Sequence, residues 1–217
     1  MARWARPRLV TMQIRELSIA GAFEVTPRQF PDDRGVFWEW YRFDALAEAV
    51  GHPIELKQGN GSVSKRGVVR GIHFADVPPS QAKYVQVLSG AILDYVIDIR
   101  VGSPTFGEWE AVRLDTVDRR ALYIAEGLGH AFVALEDNTT VTYLVTETFS
   151  PTREHGITPV DETVGLEFPT DIGEILLSPK DTDAPTLAEA ERNGLLPSYE
   201  AATAFTASLD ERWRAAR

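Results

Sequence analysis

Alternating apolar and polar residues dominate the chain from residue 22 to about residue 147, which is the period expected of β-strands. Turn motifs such as Gly59-Asn60-Gly61 and Gly102-Ser103-Pro104 separate these short runs. Many short strands with few helices between them favour antiparallel sheets. The clearest run sets apolar Ala91, Leu93, Tyr95, Ile97 and Ile99 against polar Asp94, Asp98 and Arg100. The pattern predicts a mainly β fold, an antiparallel jelly roll with a few short peripheral and C-terminal helices.

Helical signals are confined to a few places. The segment from Asp44 to Val50 is a candidate helix, with Asp44 as its N-cap and Gly51 just past its end. After Pro151, repeated prolines predict an irregular stretch that wraps the barrel. A capping box at 186–189 and a stop at Gly194 predict another helix, and residues 200–216 predict a final amphipathic one.

The length of 217 residues suits one well-buried core, so we expect a single domain over residues 1–217. Residues 12–180 would form the jelly-roll core and residues 181–217 a C-terminal helical segment. We expect residues 1–11 to be a disordered extension or the product of an upstream start codon.

Composition restricts the function classes. The chain has no cysteine, which excludes disulfides and thiolate chemistry and suits a cytoplasmic location. No stretch approaches the length of a membrane span. The formal net charge of −10 opposes nonspecific binding to nucleic acid or to anionic membranes. We therefore expect a cytoplasmic protein with no nucleic-acid or membrane partner, and any phosphate ligand must be held locally.

Several polar residues fall in phase with apolar ones and should point inward. His73 shares its phase with Val69 and Gly71, and the others are Lys83, His130 and Tyr143. An unpaired buried polar group costs about 1–3 kcal/mol. Four of them on separate strands are explained more economically by a ligand pocket inside the barrel than by a fully packed core.

Arg70 lies close to His73 in sequence, but ideal alternation sends their side chains to opposite faces. A bulge at Gly71 would shift the register by one and bring both to one side. An Arg, a His and a Lys together suit an anionic, carbonyl-bearing substrate whose proton must be moved. Arg34 and Lys180 could complete a phosphate pocket with Arg70 and Lys83.

Other chemistries have weaker support. A metal-dependent barrel normally uses a His-x-His pair, and here Ala75 stands two residues after His73. The chain has no Gly-x-Ser-x-Gly elbow, no P-loop and no Gly-x-Gly-x-x-Gly motif. We expect no metal and no cofactor.

A set of long, colinear motifs resembles the dTDP-4-keto-6-deoxyglucose 3,5-epimerases, also called dTDP-4-dehydrorhamnose 3,5-epimerases, and in particular those of antibiotic deoxysugar pathways. The resemblance covers Met12 to about Tyr199. Its motifs are Asp33-Arg34-Gly35-Val36-Phe37 with Glu39, Gln58-Gly59-Asn60, Gly67-Val68-Val69-Arg70-Gly71-Ile72-His73-Phe74, Lys83, Asp98-Ile99-Arg100, Glu126-Gly127-Leu128-Gly129-His130-Ala131-Phe132, Tyr143 and Ser178-Pro179-Lys180-Asp181.

The resemblance implies a metal-free, cupin-like jelly roll and a homodimer in which a strand of one subunit reaches the neighbour's site. It implies that His73 is the general base, Asp181 its orienting partner, Tyr143 the acid on the opposite face and Lys83 the enolate-stabilising group. It also implies a dTDP-linked 4-keto-6-deoxy sugar as substrate. The implied substrate-binding residues are Arg34, Phe37, Glu39, Gln58, Asn60, Arg70 for the pyrophosphate, His130, Phe149, Glu154 and Lys180.

One position departs from the family pattern. Phe149 stands where many members have a tyrosine thought to stack near the thymidine, and a phenyl ring can stack but cannot donate a hydrogen bond. Three alternatives stay open at this point: inversion at carbon 3, at carbon 5 or at both; a noncatalytic nucleotide-sugar binding barrel; and a metal-dependent cupin.

Overall fold

The computed structural model describes residues 12–216. Its elements are, in chain order, β1 (Met12–Glu16), β2 (Ala22–Pro27), β3 (Gln29–Asp32), β4 (Gly35–Trp38), α1 (Phe43–Val50), β5 (Gln58–Ser64), β6 (Val69–Ala75), β7 (Lys83–Ser89), β8 (Ala91–Ile97), β9 (Trp109–Asp115), β10 (Ala121–Ile124), β11 (Gly129–Ala134), β12 (Thr139–Val145), β13 (Glu154–Gly156), a 3₁₀ turn (Thr170–Ile172), α2 (Pro179–Thr182), α3 (Leu187–Arg192) and α4 (Tyr199–Ala215).

Two antiparallel sheets face each other. The larger has the order β1-β2-β10-β7-β12-β5 and the smaller has the order β13-β6-β11-β8-β9, while β3 and β4 form a separate hairpin. The predicted mainly β, cupin-like jelly roll is confirmed. The expectations for residues 1–11 lie outside the described residues, and the one-domain division of 1–217 stays a prediction.

The core between the sheets is built from alternate residues of facing strands. Val85 and Val141 of the larger sheet pack with Ile92, Val96 and Phe132 of the smaller sheet, and all five are buried. Burying a side chain of this kind contributes about 1.5–3 kcal/mol. This packing holds the two sheets together.

The outer face of the smaller sheet is covered by the chain after residue 156. Val133 and Tyr95 on that face pack with Val164, Ile172 and Leu187 from the C-terminal third. The prediction that the proline-rich stretch wraps the barrel is therefore confirmed. Each covering residue comes from irregular chain or short helix, so periodicity could not have placed it.

The predicted helices are present with small shifts. α1 begins at Phe43, and its N-cap is Arg42 rather than the predicted Asp44, which lies in the first turn and hydrogen-bonds Arg42. Gly51 ends the helix in the left-handed region, as predicted. The capping box at Thr186 is present, and α4 spans Tyr199–Ala215 where 200–216 was predicted.

One prediction about side-chain direction is wrong, and three polar residues of the clearest strand run are buried. The three polar residues are Asp94, Asp98 and Arg100. They could be buried because each is paired: Asp94 with His130, and Asp98 with Arg100. Val69 does not share a face with His73, since it packs in the outer cluster with Phe74.

The reason why Val69 and His73 do not share a face is a bulge in β6. His130 lies opposite His73 and Phe132 lies opposite Arg70, so three residue steps on β6 match two on β11. Gly71 has φ +135°, in the region that favours glycine, and its missing Cβ leaves room for Ala131 and the His130 carbonyl oxygen. The predicted bulge at Gly71 is confirmed, and it brings Arg70 and His73 to the same cleft.

Replacing Gly71 with alanine should lower the free energy of unfolding by about 2–4 kcal/mol. A Cβ there would lie 2.6 Å from the His130 carbonyl oxygen, in addition to the unfavourable φ. Urea unfolding of the purified protein measures the change.

Gly102→Ala is the matched control, because Gly102 has φ +87° but a Cβ there would have no neighbour within 4 Å. We expect it to cost only about 1 kcal/mol, the price of the backbone conformation alone. Equal losses in the two variants would contradict the proposed contact at β11.

Candidate active site

The centre of the site is a hydrogen-bonded pair formed by His73 and Asp181. The His73 Nε2 atom lies 2.7 Å from Asp181 Oδ1, although the residues are 108 positions apart. Asp181 is buried in the first turn of α2, where the Ser178 hydroxyl donates to its Oδ2 at 2.8 Å. The carboxylate is thus held from both sides, and it fixes the orientation of the imidazole.

The electrostatics of this pair favour a neutral imidazole at neutral pH. Burial lowers the pKa of His73 below its ordinary value; Asp181 opposes that shift and the Lys83 charge reinforces it. Burial acts to raise the pKa of Asp181, but hydrogen bonds from His73 and Ser178 outweigh it, so that pKa is lowered. An unprotonated imidazole beside an ionised carboxylate can accept a proton.

Lys83 begins β7 and faces the pair from the opposite sheet. Its Nζ donates to the His73 carbonyl oxygen at 3.5 Å. Burial lowers the pKa of Lys83 to about 8, against the opposing effect of Glu154 and then Asp94. A largely desolvated ammonium acts strongly on charge that develops beside it.

Tyr143 lies on β12, also in the larger sheet. Burial raises its pKa, Glu154 adds to that shift, and Arg70 and a hydrogen bond with Asn60 oppose it. The phenol therefore stays protonated at neutral pH and has a proton to give. His73 and Tyr143 belong to facing sheets, so they approach the barrel interior from opposite sides.

Asp94 and His130 form a second buried pair, with 2.6 Å between Asp94 Oδ1 and His130 Nε2. Asp94 is fully buried, and no described residue hydrogen-bonds its Oδ2. Burial raises the pKa of Asp94, while His130 and Lys83 act in the opposite direction. Sequence reasoning missed Asp94, yet a signal was present. Asp94 falls in phase with the apolar residues Ile92 and Val96, and the same criterion selected His130.

Two of the remaining predicted residues, Gln58 and Asn60, lie on β5, where Asn60 is opposite Tyr143 of β12. Gln58 donates to Asn60 at 2.7 Å, and the Phe149 backbone donates to Gln58 at 3.0 Å. The Phe149 ring is 58% exposed.

A cleft of about 290 Å³ is lined by Arg70, His73, Lys180 and Asp181, among others. Arg70 Nε also donates to the Ser64 hydroxyl at 3.2 Å.

Three predicted residues are not brought to this site within the single chain. Arg34, Phe37 and Glu39 lie on or just after the β3–β4 hairpin, which belongs to neither large sheet. Arg34 pairs with Asp32 and Glu39 with Arg42, while Phe37 is 66% exposed. Of the four cations expected to form a phosphate pocket, Arg70 and Lys180 line the cleft at His73 and Arg34 does not; the pocket itself stays a prediction.

Comparison with known proteins assigns the chain to a family. The family model for dTDP-4-dehydrorhamnose 3,5-epimerase matches residues 16–189. The chain belongs to this epimerase family. A dTDP-4-dehydrorhamnose 3-epimerase of Streptomyces niveus is 54% identical over 195 residues, covering 90% of this chain and 93% of that protein. A dTDP-4-dehydrorhamnose 3,5-epimerase of Mycolicibacterium smegmatis is 54% identical over 198 residues, covering 91% and 97%.

Solved structures agree with the family assignment. ChmJ, a 3′-monoepimerase from Streptomyces bikiniensis in complex with dTDP-quinovose, matches with a TM-score of 0.87 and 46% identity. The match covers 89% of this chain and 98% of ChmJ. As an epimerase, this chain is an isomerase of deoxysugar biosynthesis.

Two features of other protein classes are absent from the described part of this epimerase. Residues 12–216 contain no group of three or more His, Asp or Glu side chains placed to hold a metal ion. Over the same range, every helix is too short or too polar to cross a membrane.

The Lys83 pKa offers a direct test of the site's electrostatics. We expect NMR titration of Lys83, assigned with a Lys83→Arg variant, to give a pKa of about 8. Glu154→Gln should lower it further, because Glu154 provides the largest opposing charge. Glu162→Gln, an exposed carboxylate elsewhere, is the control and should leave it unchanged. A value near the ordinary 10.4 or so would contradict the burial of this amine.

Proposed function

We propose that the chain epimerises dTDP-4-keto-6-deoxy-D-glucose by removing the proton next to the ketone and returning one to the opposite face. The observation that carries the proposal is that His73 on one sheet, hydrogen-bonded to Asp181 of α2, faces Lys83 and Tyr143 on the other sheet. Relatives that act on dTDP-linked deoxysugars support the substrate class. The carbon inverted is carbon 3, carbon 5 or both.

His73 is the base in this mechanism. The lowered pKa keeps its imidazole unprotonated at neutral pH, and Asp181 stabilises the imidazolium that forms when the proton arrives. Because Asp181 is fixed by Ser178, the ring does not need to reorient during the reaction. General-base catalysis of this kind contributes about 100- to 10,000-fold in rate.

Lys83 stabilises the enolate oxygen. Removing a proton beside a ketone is feasible only if the developing negative charge is balanced, and a buried ammonium does this without solvent reorganisation. Tyr143 then gives a proton from the other side of the barrel, which is the geometry that inversion requires. Arg70, at the open end of the same cleft, holds the pyrophosphate.

We propose further that the active form is a homodimer in which the β3–β4 hairpin serves the partner's site. The hairpin is separate from both large sheets and exposes Phe37. The family resemblance assigns Arg34, Phe37 and Glu39 to nucleotide-sugar binding, yet none of them lines the cleft at His73 in its own chain. A second copy would reconcile these two facts.

Hydrogen exchange tests the reaction. With the 4-keto sugar nucleotide in deuterated water, proton NMR should show exchange at the carbon or carbons inverted.

His73→Ala should slow exchange about 100- to 10,000-fold while nucleotide binding persists. Arg70→Ala should instead weaken binding about 10- to 100-fold, because a charge-assisted contact is lost. Binding without any exchange in the unmodified protein would favour the noncatalytic barrel and sink the enzyme mechanism.

Subunit mixing tests the shared site. Co-expressing His73→Ala with Arg34→Ala chains should restore activity, because a mixed dimer contains one site with an intact His73 and the partner's intact Arg34. Mixing His73→Ala with Tyr143→Phe chains is the control, since every site then carries a defect. Gain in both mixtures, or in neither, would count against the shared arrangement.

A further inference from the structure

A second cleft lies away from the proposed active site, between α4 and the end of the barrel. Its volume is about 470 Å³, within the range of roughly 300–1,000 Å³ common for small-molecule sites. None of its lining residues lines the cleft at His73. Much of its wall is apolar, formed by Pro53, Pro79, Phe205, Leu209 and Trp213.

The polar feature of this cleft is the carboxyl group of Glu126. The residue is only 3% exposed, and it lines the cleft. Its Oε1 accepts a hydrogen bond from the Thr146 hydroxyl at 3.4 Å, but no residue of the described range 12–216 bonds its Oε2. Burial raises the pKa of Glu126. A buried oxygen without a partner is unfavourable, so a ligand that donates a hydrogen bond to it is stabilised.

The other charged groups of the wall are already engaged or lie at the surface. Lys57 donates to Glu147 at 2.8 Å, and His52 is bonded to Asp210 at 2.9 Å. Arg212 is exposed, and its Nε donates to a carbonyl oxygen of its own helix. At depth, therefore, the cleft offers an acceptor and no spare cation among its described residues.

The surrounding rings suit the same kind of ligand. Phe205 and Trp213 form part of the wall, and aromatic faces attract organic cations. An ammonium group on an apolar body would meet the Glu126 carboxylate at depth while its body packs against prolines and rings. A carboxylate in the same place would meet an unpaired acceptor and be repelled.

We propose that this cleft is a binding site for a small organic amine, whose ammonium group donates to Glu126 and whose apolar body packs between Pro79, Phe205 and Trp213. The site is separate from the proposed epimerase centre, so its occupancy does not depend on that function. The two sites are nevertheless connected. Thr146, which lines this cleft, is hydrogen-bonded to Ala82, and Ala82 directly precedes Lys83 in the chain.

The test is an NMR titration of the full, ¹⁵N-labelled chain with three probes of matched shape: 2-phenylethylamine, 2-phenylethanol and 3-phenylpropionate. We expect the amine to bind, with shifts centred on Glu126, Thr146 and α4. The alcohol should bind more weakly and the carboxylate not measurably. No binding of the amine at millimolar concentration, tighter binding of the carboxylate, or shifts centred on His73 would overturn the proposal.

Variants locate the interaction. Glu126→Gln keeps the shape but removes the charge, and it should weaken amine binding about tenfold. Glu211→Gln changes an exposed residue of α4 that does not line the cleft, and it should leave the affinity unchanged. Amine binding at full strength in Glu126→Gln would refute the assigned contact. If that variant does not fold, the probe series on the unmodified protein decides alone.

Discussion

An extra residue at Gly71 is the constraint on which the site depends. Because side chains alternate along a strand, one inserted residue changes which of its neighbours share a face. In β6 it turns Arg70 and His73 toward one cleft, while Val69 and Phe74 stay in the outer core. The strand thereby performs two tasks at once: its apolar residues anchor the smaller sheet, and its polar residues face the substrate region.

Burial explains the remaining chemistry. Burial lowers the pKa values of both His73 and Lys83. The imidazole of His73 is therefore unprotonated at neutral pH, and the ammonium group of Lys83 loses its proton more readily than an exposed lysine does. Such groups would be unstable in an apolar core, but here each has a fixed counter-charge: Asp181 for the histidine, Glu154 and Asp94 for the lysine. Burial in the barrel lowers the two pKa values, and the neighbouring carboxylates limit how far they fall.

Much of the strand arrangement can be predicted from the sequence, because the two-residue period of strands identifies Lys83, His130 and Tyr143 as facing the barrel interior. The bulge could be inferred because glycine is the residue that tolerates it. Asp94 was not selected as a site residue, because its burial depends on a partner, His130, that lies on another strand. Arg34 and Phe37 could not be placed by periodicity, because their hairpin lies outside both large sheets and its position depends on contacts between distant segments or chains.

The link between His73 and Asp181 also makes the C-terminal part of the chain necessary to the site. The barrel strands are complete in sequence by residue 156, but the carboxylate that orients the histidine comes 25 positions later, on a four-residue helix with little structure of its own. A chain that has formed its sheets and not yet seated this last segment would have the cavity and the cations without an oriented base. The C-terminal wrap therefore supplies part of the candidate site as well as part of the outer core.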